Sequence, residues 1–191
     1  MIRGLFLLLA IPESPKMEPA KIPAPTETGS PIASYHAAPP GVNYAENPSI
    51  FGKILRGEIS ALTLYESSHL LAFQDRTPRA KLHALVIPKQ FIPTVVSLTR
   101  DDLPLLEDMR KIGLLLIEQN YPDAIRRNDY ILCFHVPPFN SVNHLHLHVL
   151  APASEMKLHY RYGKYQVGTR WCVDESFVRD RLAAGKKAVP C

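Results

Sequence analysis

Apolar side chains recur along this chain in two rhythms, and the changes of rhythm mark its elements. Short runs rich in Leu, Val, Ile and Phe at 62–66, 70–74, 83–88, 129–134 and 145–150 have the length and composition of strands. The first two flank Ser67-Ser68-His69, which suits a hairpin turn. Helical spacing appears twice. Ile50, Phe51, Ile54 and Leu55 form a short apolar stripe that opens at Asn47-Pro48, read as an N-cap with proline at the first helical position, and closes at Gly57. In the stretch 99–119, Leu105, Leu106, Met109, Ile112, Leu116 and Ile117 share a face, and Asp101 and Asp102 sit where a helix N-terminus favours negative charge. Further on, Tyr160, Tyr162, Tyr165 and Trp171 suggest one more strand and packing of the tail, and Ser176 is placed to cap a last helix that Gly185 stops. Hairpin strands with helices set apart from them predict an α+β domain with a mainly antiparallel sheet.

Between Pro12 and Pro40 the rhythm is lost. Eight prolines and few large apolar residues offer too little burial to offset the entropy of ordering the chain. Residues 1–46 are therefore expected to be a disordered, proline-rich segment, with the folded domain at 47–155 and a basic extension at 156–191.

Composition sharpens this picture only in places. Of 191 residues, 46% are hydrophobic and 21% charged, which suits one soluble domain with tails. No run approaches the roughly 18 continuous apolar residues of a membrane span, so no membrane partner is expected. The apolar run from Gly4 to Ile11 after Arg3 is short and ends at Pro12, which leaves a targeting peptide open. The net charge of +4 is uneven: 47–155 is nearly neutral, whereas eight basic residues face three acidic ones in 156–191. Such a tail attracts nucleic acid in some proteins. A charge run alone is more simply a solvated surface, and a nucleic-acid partner is not expected. Cys133, Cys172 and Cys191 show no paired spacing, and their odd number argues against a disulfide framework; the expected compartment is reducing, cytoplasmic or nuclear.

The candidate chemistry lies in His144-Leu145-His146-Leu147-His148-Val149-Leu150. Side chains alternate faces along a strand, so the three imidazoles share one face while Leu145, Leu147 and Val149 enter the core on the other. A lone histidine is usually a packing residue. Three at a strict two-residue period are costly unless that face is a site. Neutral imidazole is a nucleophile at physiological pH, and its attack on phosphorus splits one hard displacement into two easier ones. Ser141 is near enough in sequence to add a hydroxyl. A three-histidine metal site is the rival, but same-face neighbours on one strand diverge too little for a tetrahedron, and no carboxylate flanks them. No metal and no cofactor are expected. His36, His69 and His159 have no such context and are read as surface residues, and Cys133, within a strand, as a buried and inert thiol.

The segment Ser141–Leu150 closely resembles the signature of the histidine triad (HIT) superfamily. Upstream, Ser49-Ile50-Phe51-Gly52-Lys53-Ile54 with Gly57-Glu58-Ile59, then Leu71–Asp75 and His83–Lys89, are similar to that family's opening helix and second and third strands, so the resemblance runs from about Asn47 to about Ala153. The opening helix and the closing His-Val-Leu resemble the Hint branch, and 134–139 resembles its type 3 and 4 members, the adenosine phosphoramidases. What the resemblance implies is the HIT fold: a five-stranded sheet with two main helices, two such sheets joined across a homodimer, and an adenine nucleotide bound in each subunit. It further implies His146 as nucleophile, His148 as a partner on the phosphate side, and His144 and His83 completing the imidazole cluster. Asp75 would hold the ribose, with Arg76 beside it, and Ile50, Phe51 and Phe73 would wall the purine pocket. The chain departs from the pattern at Cys133, where many Hint proteins carry a phosphate-touching Asn; His135 or Asn140 are the candidates to replace it.

The implied activity is hydrolysis of adenosine 5'-phosphoramidates and acyl-adenylates to AMP through an adenylyl-histidine. Dinucleoside polyphosphate hydrolysis is the alternative within the superfamily, and a nucleotide-binding interaction protein with residual turnover the alternative outside enzymes. An aprataxin-like role on DNA ends would want a zinc finger, for which too few cysteines remain.

Overall fold

The computed structural model describes residues 36–190. The N-terminal apolar run and the prolines up to Pro31 lie outside the described residues, as does Cys191. Six strands form one sheet in the order β1-β2-β3-β5-β4-β6, every neighbouring pair antiparallel. They are β1 (Thr63–Glu66), β2 (Leu70–Gln74), β3 (Leu82–Pro88), β4 (Ile131–His135), β5 (Leu147–Ala151) and β6 (Cys172–Asp174). The helices are α1 (Ile50–Leu55), α2 (Leu103–Asn120), α3 (Pro122–Arg126) and α4 (Glu175–Ala183). The expected α+β class and antiparallel sheet are observed. The sixth strand is a difference: the basic extension does not trail from the domain but adds β6 to the outer edge of β4, so β4 is paired on both sides.

Alternation fixes the two faces of the sheet. Ala84, Val86, Leu132, Leu147 and Val149 point to the face covered by α2, where Leu106, Met109, Leu116 and Ile117 are buried against them. Each fully buried Leu or Ile contributes on the order of 1.5–3 kcal/mol. Close approach here depends on Gly113, where an added Cβ would stand 3.1 Å from Val149 Cγ2 and 3.2 Å from Leu132 Cδ2. The long helix begins after a turn at Arg100–Asp102, whose Thr99 and Asp102 form a reciprocal capping box. The last helix is capped by Asp174, which accepts from Ser176 N at 2.8 Å, and not by Ser176: the carboxylate reaches the exposed amide first and takes the serine hydroxyl as well. Glu175, buried on α4, faces Arg110 of α2 at 3.2 Å and so ties the extension to the main helix.

The opposite face carries two smaller apolar clusters. One gathers Phe51, Ile54, Leu55, Leu71, Phe73, Leu85, Ile87 and Tyr44; the other gathers Cys133, Leu150, Met156, Tyr165 and Cys172. Between them lie the histidines.

Three expectations near the start of the domain need correction, the surface position of His36 among them. The folded part begins by His36 and not at Asn47. His36 is buried, with Nδ1 2.9 Å from Glu66 Oε2, and Lys89, also buried, donates to Glu66 Oε1 at 2.7 Å and to the carbonyl of Ala37 at 3.0 Å. Tyr44 packs beside α1 and donates from its hydroxyl to Ala37 O. A few well-placed polar bonds and one aromatic ring order a segment that lacks any apolar period. The N-cap of α1 is Ser49, whose hydroxyl accepts from Gly52 N at 3.2 Å. Asn47 instead turns inward, accepting from Ser49 N and Ser49 Oγ and directing its amide to His144 Nδ1 at 2.8 Å.

That inward turn requires a bare backbone at Gly52: a Cβ there would stand 2.3 Å from the carbonyl oxygen of Asn47 and 2.7 Å from its Cγ. Gly52→Ala must push Asn47 away, an overpacking cost of about 1–3 kcal/mol. A fall of several degrees in melting temperature is expected at about 2–4 °C per kcal/mol. An unchanged thermal midpoint would show that the chain before α1 yields freely.

Candidate active site

Register places the site. Thr63 pairs with Phe73, Phe73 with Leu85, Leu85 with His148, and His148 with Cys133, so one row of side chains crosses the sheet on the face away from α2. Regular pairing of β5 begins only at Leu147, so His144 and His146 stand on the extended chain leading into it. The two-residue alternation persists there: Leu145 is buried in the core cluster beneath α2 while the rings gather on the other side, with His146 and His148 centroids 4.9 Å apart.

An open cavity of about 480 Å³ lies over this row. Ile50, Phe51, Ile54, Phe73, Leu85 and Val142 supply its apolar wall, and Asp75, Arg76, Ser141, His146, His148 and Lys164 its polar end. Of the residues expected to meet a nucleotide, Asp75, Arg76, Ile50, Phe51, Phe73, Ser141, His146 and His148 therefore line one cavity. His83, His144 and Asn140 do not. His83 stands behind His148, and His144 lies beneath Phe51 and Phe91, with ring centroids 5.8 and 5.7 Å away. Asn140 spends its amide within its own loop, donating to Val142 O at 3.0 Å and Asn143 Oδ1 at 2.8 Å.

Hydrogen bonds assign the proton on each ring, because a carbonyl only accepts and a backbone N–H only donates. His144 Nε2 is 2.8 Å from Pro88 O and must donate, which leaves Nδ1 to accept from Asn47. Both its nitrogens are thus used by the protein; its contribution to the site is its carbonyl. His146 Nδ1 donates to that carbonyl at 2.6 Å, which leaves the Nε2 lone pair of His146 free. A second chain starts at the backbone of Arg79, whose N–H donates to His83 Nδ1 at 3.2 Å. His83 then carries its proton on Nε2, 3.1 Å from His148 Nδ1, and His148 carries its own on Nε2. That last atom is buried and has no protein partner. Two adjacent imidazoles therefore present opposite faces to one cavity, a lone pair on His146 and an N–H on His148.

Burial keeps the rings neutral. It lowers the affinities of His146, His144 and His83 for protons to about 4, and that of His148 well below the ordinary value, where the other histidines add repulsion. For His146 the hydrogen bond to His144 O and the charge of Asp75 oppose this shift without cancelling it.

Asp75 combines two roles. One oxygen accepts from Thr77 N at 2.8 Å, the turn function that its sequence context suggests, while the other lies 3.4 Å from His83 Nε2 at the cavity edge. Asp75, His83 and His148 are also the set among the described residues whose ligand atoms approach within 4.8 Å of one another, as a metal would need. In the arrangement described, His83 Nε2 and His148 Nδ1 satisfy each other.

None of the three residues considered for the missing Asn reaches the cavity. Cys133 is fully buried beside Cys172, and burial pushes its thiol up; His135 donates from Nε2 to Lys164 O at 3.1 Å, and its ring packs 4.6 Å from that of His148. Sequence reasoning missed Asn47, Lys164 and Tyr165. Tyr165 is buried against His83, His135 and His148, with centroids 5.2–5.5 Å away, so the aromatic cluster read as packing of the tail is part of the site's wall.

Residues 48–162 match the family described as scavenger mRNA decapping enzyme C-term binding. The bifunctional adenosine 5'-phosphosulfate phosphorylase/adenylylsulfatase HINT4 of Arabidopsis thaliana is 43% identical over 58% of this chain and 73% of its own length. Adenosine 5'-monophosphoramidase HINT3 of Xenopus tropicalis is 36% identical over 66% of this chain and 81% of its own length, and that of Mus musculus 35% identical over 73% and 84%. A solved HIT family hydrolase from Legionella pneumophila superposes with a TM-score of 0.48 at 35% identity, over 53% of this chain and 90% of that one. With that family spanning most of the domain and these relatives matched over most of their length, the chain belongs to the histidine triad superfamily, on its Hint-like branch.

Proposed function

We propose that this protein hydrolyses adenosine 5'-phosphoramidates and related adenylates to AMP, with His146 as the group that attacks the α-phosphorus. The observation that carries this reading is the pair of opposed tautomers, a free lone pair on His146 Nε2 beside an unpartnered N–H on His148 Nε2. Attack by the first forms a P–N bond to the enzyme as the bond to the leaving group breaks. The second keeps its proton and donates a hydrogen bond to the phosphate oxygens, while the departing amine takes its proton from the water molecule that next attacks phosphorus and leaves as a neutral molecule. Water then cleaves the phosphoramidate on His146, releasing AMP. The apolar wall of Ile50, Phe51 and Phe73 suits a purine, and Asp75 at the cavity edge suits the ribose hydroxyls. Support also comes from relatives named as phosphoramidases and as an adenylylsulfatase. A homodimer that joins two sheets would have the outer edges of β1 and β6 to use, since β4 is paired on both sides.

Three outcomes follow. His146→Asn should lower kcat for adenosine 5'-phosphoramidate at least a thousandfold while AMP binding changes little, because one side chain makes the covalent step and many contacts bind. Rapid quenching of the unaltered protein should leave an adenylyl group on His146, seen by peptide mass mapping; near-normal turnover of the variant would sink the mechanism.

Exhaustive chelation should leave turnover unchanged, since the nucleophile needs no metal. Activity lost with a stoichiometric metal and regained on its return would favour a centre at Asp75, His83 and His148 instead.

In pH, the neutral His146 persists down to about 4, so kcat/KM should stay level from pH 8 to about 5 and fall below that. The sign for stability is the same. Unfolded histidines take up protons near 6.5 and the buried ones do not, so the folded state is fully favoured above 6.5 and loses stability as pH falls toward 4. Circular dichroism at each pH separates the two effects. A break in kcat/KM near 6.5 with the fold intact would show that His146 titrates as an ordinary imidazole.

A further inference from the structure

The C-terminal extension brings one side chain to the cavity that the hydrolysis of an amide bond does not need. Lys164 ends the helical turn Tyr160–Lys164, and the backbone at it and at its two neighbours is pinned by hydrogen bonds. Its carbonyl accepts from His135 Nε2, the preceding Gly163 carbonyl accepts from Trp171 Nε1 at 2.9 Å, and Tyr165 N–H, next in sequence, donates to Tyr160 O at 2.8 Å. Tyr165 itself is locked among the histidine rings. A rigid stem thus holds an exposed ammonium at the polar end, its Nζ 5.5 Å from the Tyr165 ring centroid. Among the described residues Lys164 enters no ion pair, and Arg76 is the one other cation lining the cavity. Its charge is felt by His146 and His148, whose protonation it disfavours. An exposed ammonium with no ion pair, beside neutral imidazoles, is available to an anionic leaving group.

Resting on the reading above, we propose that Lys164 is a specificity-determining residue that binds an oxyanion leaving group, so that it favours a substrate such as adenosine 5'-phosphosulfate over one that loses an amine. The two leaving-group classes make different demands. In a phosphoramidate, His146 Nε2 bonds to phosphorus, the P–N bond breaks, and the amine takes a proton from water. In a phosphosulfate, the same bond to phosphorus forms and the P–O bond breaks, its electron pair leaving on sulfate. Sulfate is so weak a base that no proton need follow it; what it needs is a positive charge beside the oxygens on which the electrons collect. Lys164 supplies that charge, and the lone N–H of His148 does not replace it.

The test compares adenosine 5'-phosphosulfate with adenosine 5'-phosphoramidate on the full-length protein and on Lys164→Gln, Lys164→Arg and Lys164→Glu. Lys164→Gln should lower the ratio of kcat/KM for phosphosulfate to that for phosphoramidate about tenfold, as expected for one charge-assisted contact at a solvated cavity mouth. Lys164→Glu should lower it further, and Lys164→Arg should restore most of it. Added salt should reduce kcat/KM for phosphosulfate in the unaltered protein more steeply than in Lys164→Gln. Equal melting temperatures would exclude a folding defect, and because the ratio is internal, a general loss of active protein cancels. A ratio unchanged in both the Gln and Glu variants would overturn the inference while leaving the adduct on His146 intact. Absence of that adduct would instead overturn the reading on which it rests.

Discussion

A neutral imidazole has one proton to divide between two nitrogens, and whichever nitrogen holds it cannot act as a nucleophile. In this protein the choice is made by a backbone carbonyl. The 2.6 Å bond from His146 Nδ1 to His144 O works only if residues 144–146 are extended, only if His144 is itself held, and only if water does not compete for the carbonyl. Asn47 and the carbonyl of Pro88 hold the His144 ring from two sides, and Phe51 and Phe91 cover it. The opening segment, α1, the end of β3 and the approach to β5 thus converge on one tautomer. Gly52 is bare so that Asn47 can reach, and the histidines are buried so that the choice is not undone by protonation.

The second tautomer is set just as remotely. A backbone amide in the turn before β3 fixes His83, and His83 fixes His148. Such chains of hydrogen bonds polarise one another in a low dielectric. They also explain why the cluster needs four rings although two face the cavity. Each hidden ring decides what a visible one can do.

How much of this is legible in the sequence follows from the reach of each contact along the chain. The alternation of His and Leu through 144–148 is a local pattern, and it gave both the face and the depth of the triad. Phe73 and Leu85 were legible as strand residues, and pairing at fixed register made them neighbours of His148. Asp75 read by itself was a turn residue, and the turn is real; its second oxygen gained meaning only from the resemblance. Asn47, His36 and Lys164 carried no such pattern. They are single polar residues whose partners lie 97, 30 and 29 positions away, at His144, Glu66 and His135, and periodicity carries no information over that distance. A further strand in the extension was expected, but not its place: β6 is three residues, too few to alternate visibly, and its pairing with the edge of β4 is a long-range contact.

That edge has a consequence in time as well as space. β4 meets β6 across a gap of about forty residues, and the wall formed by Tyr165 comes from the intervening chain. During synthesis the triad emerges and can pair with β3 while this side of the sheet is still open to water. A nascent chain that has just completed β5 therefore owns every imidazole of the triad, with His144 and His146 already beside Phe51, but lacks the Tyr165 ring that closes over His83 and His148. The side of the cluster around His148 is thus the last to be closed, by chain that follows β5.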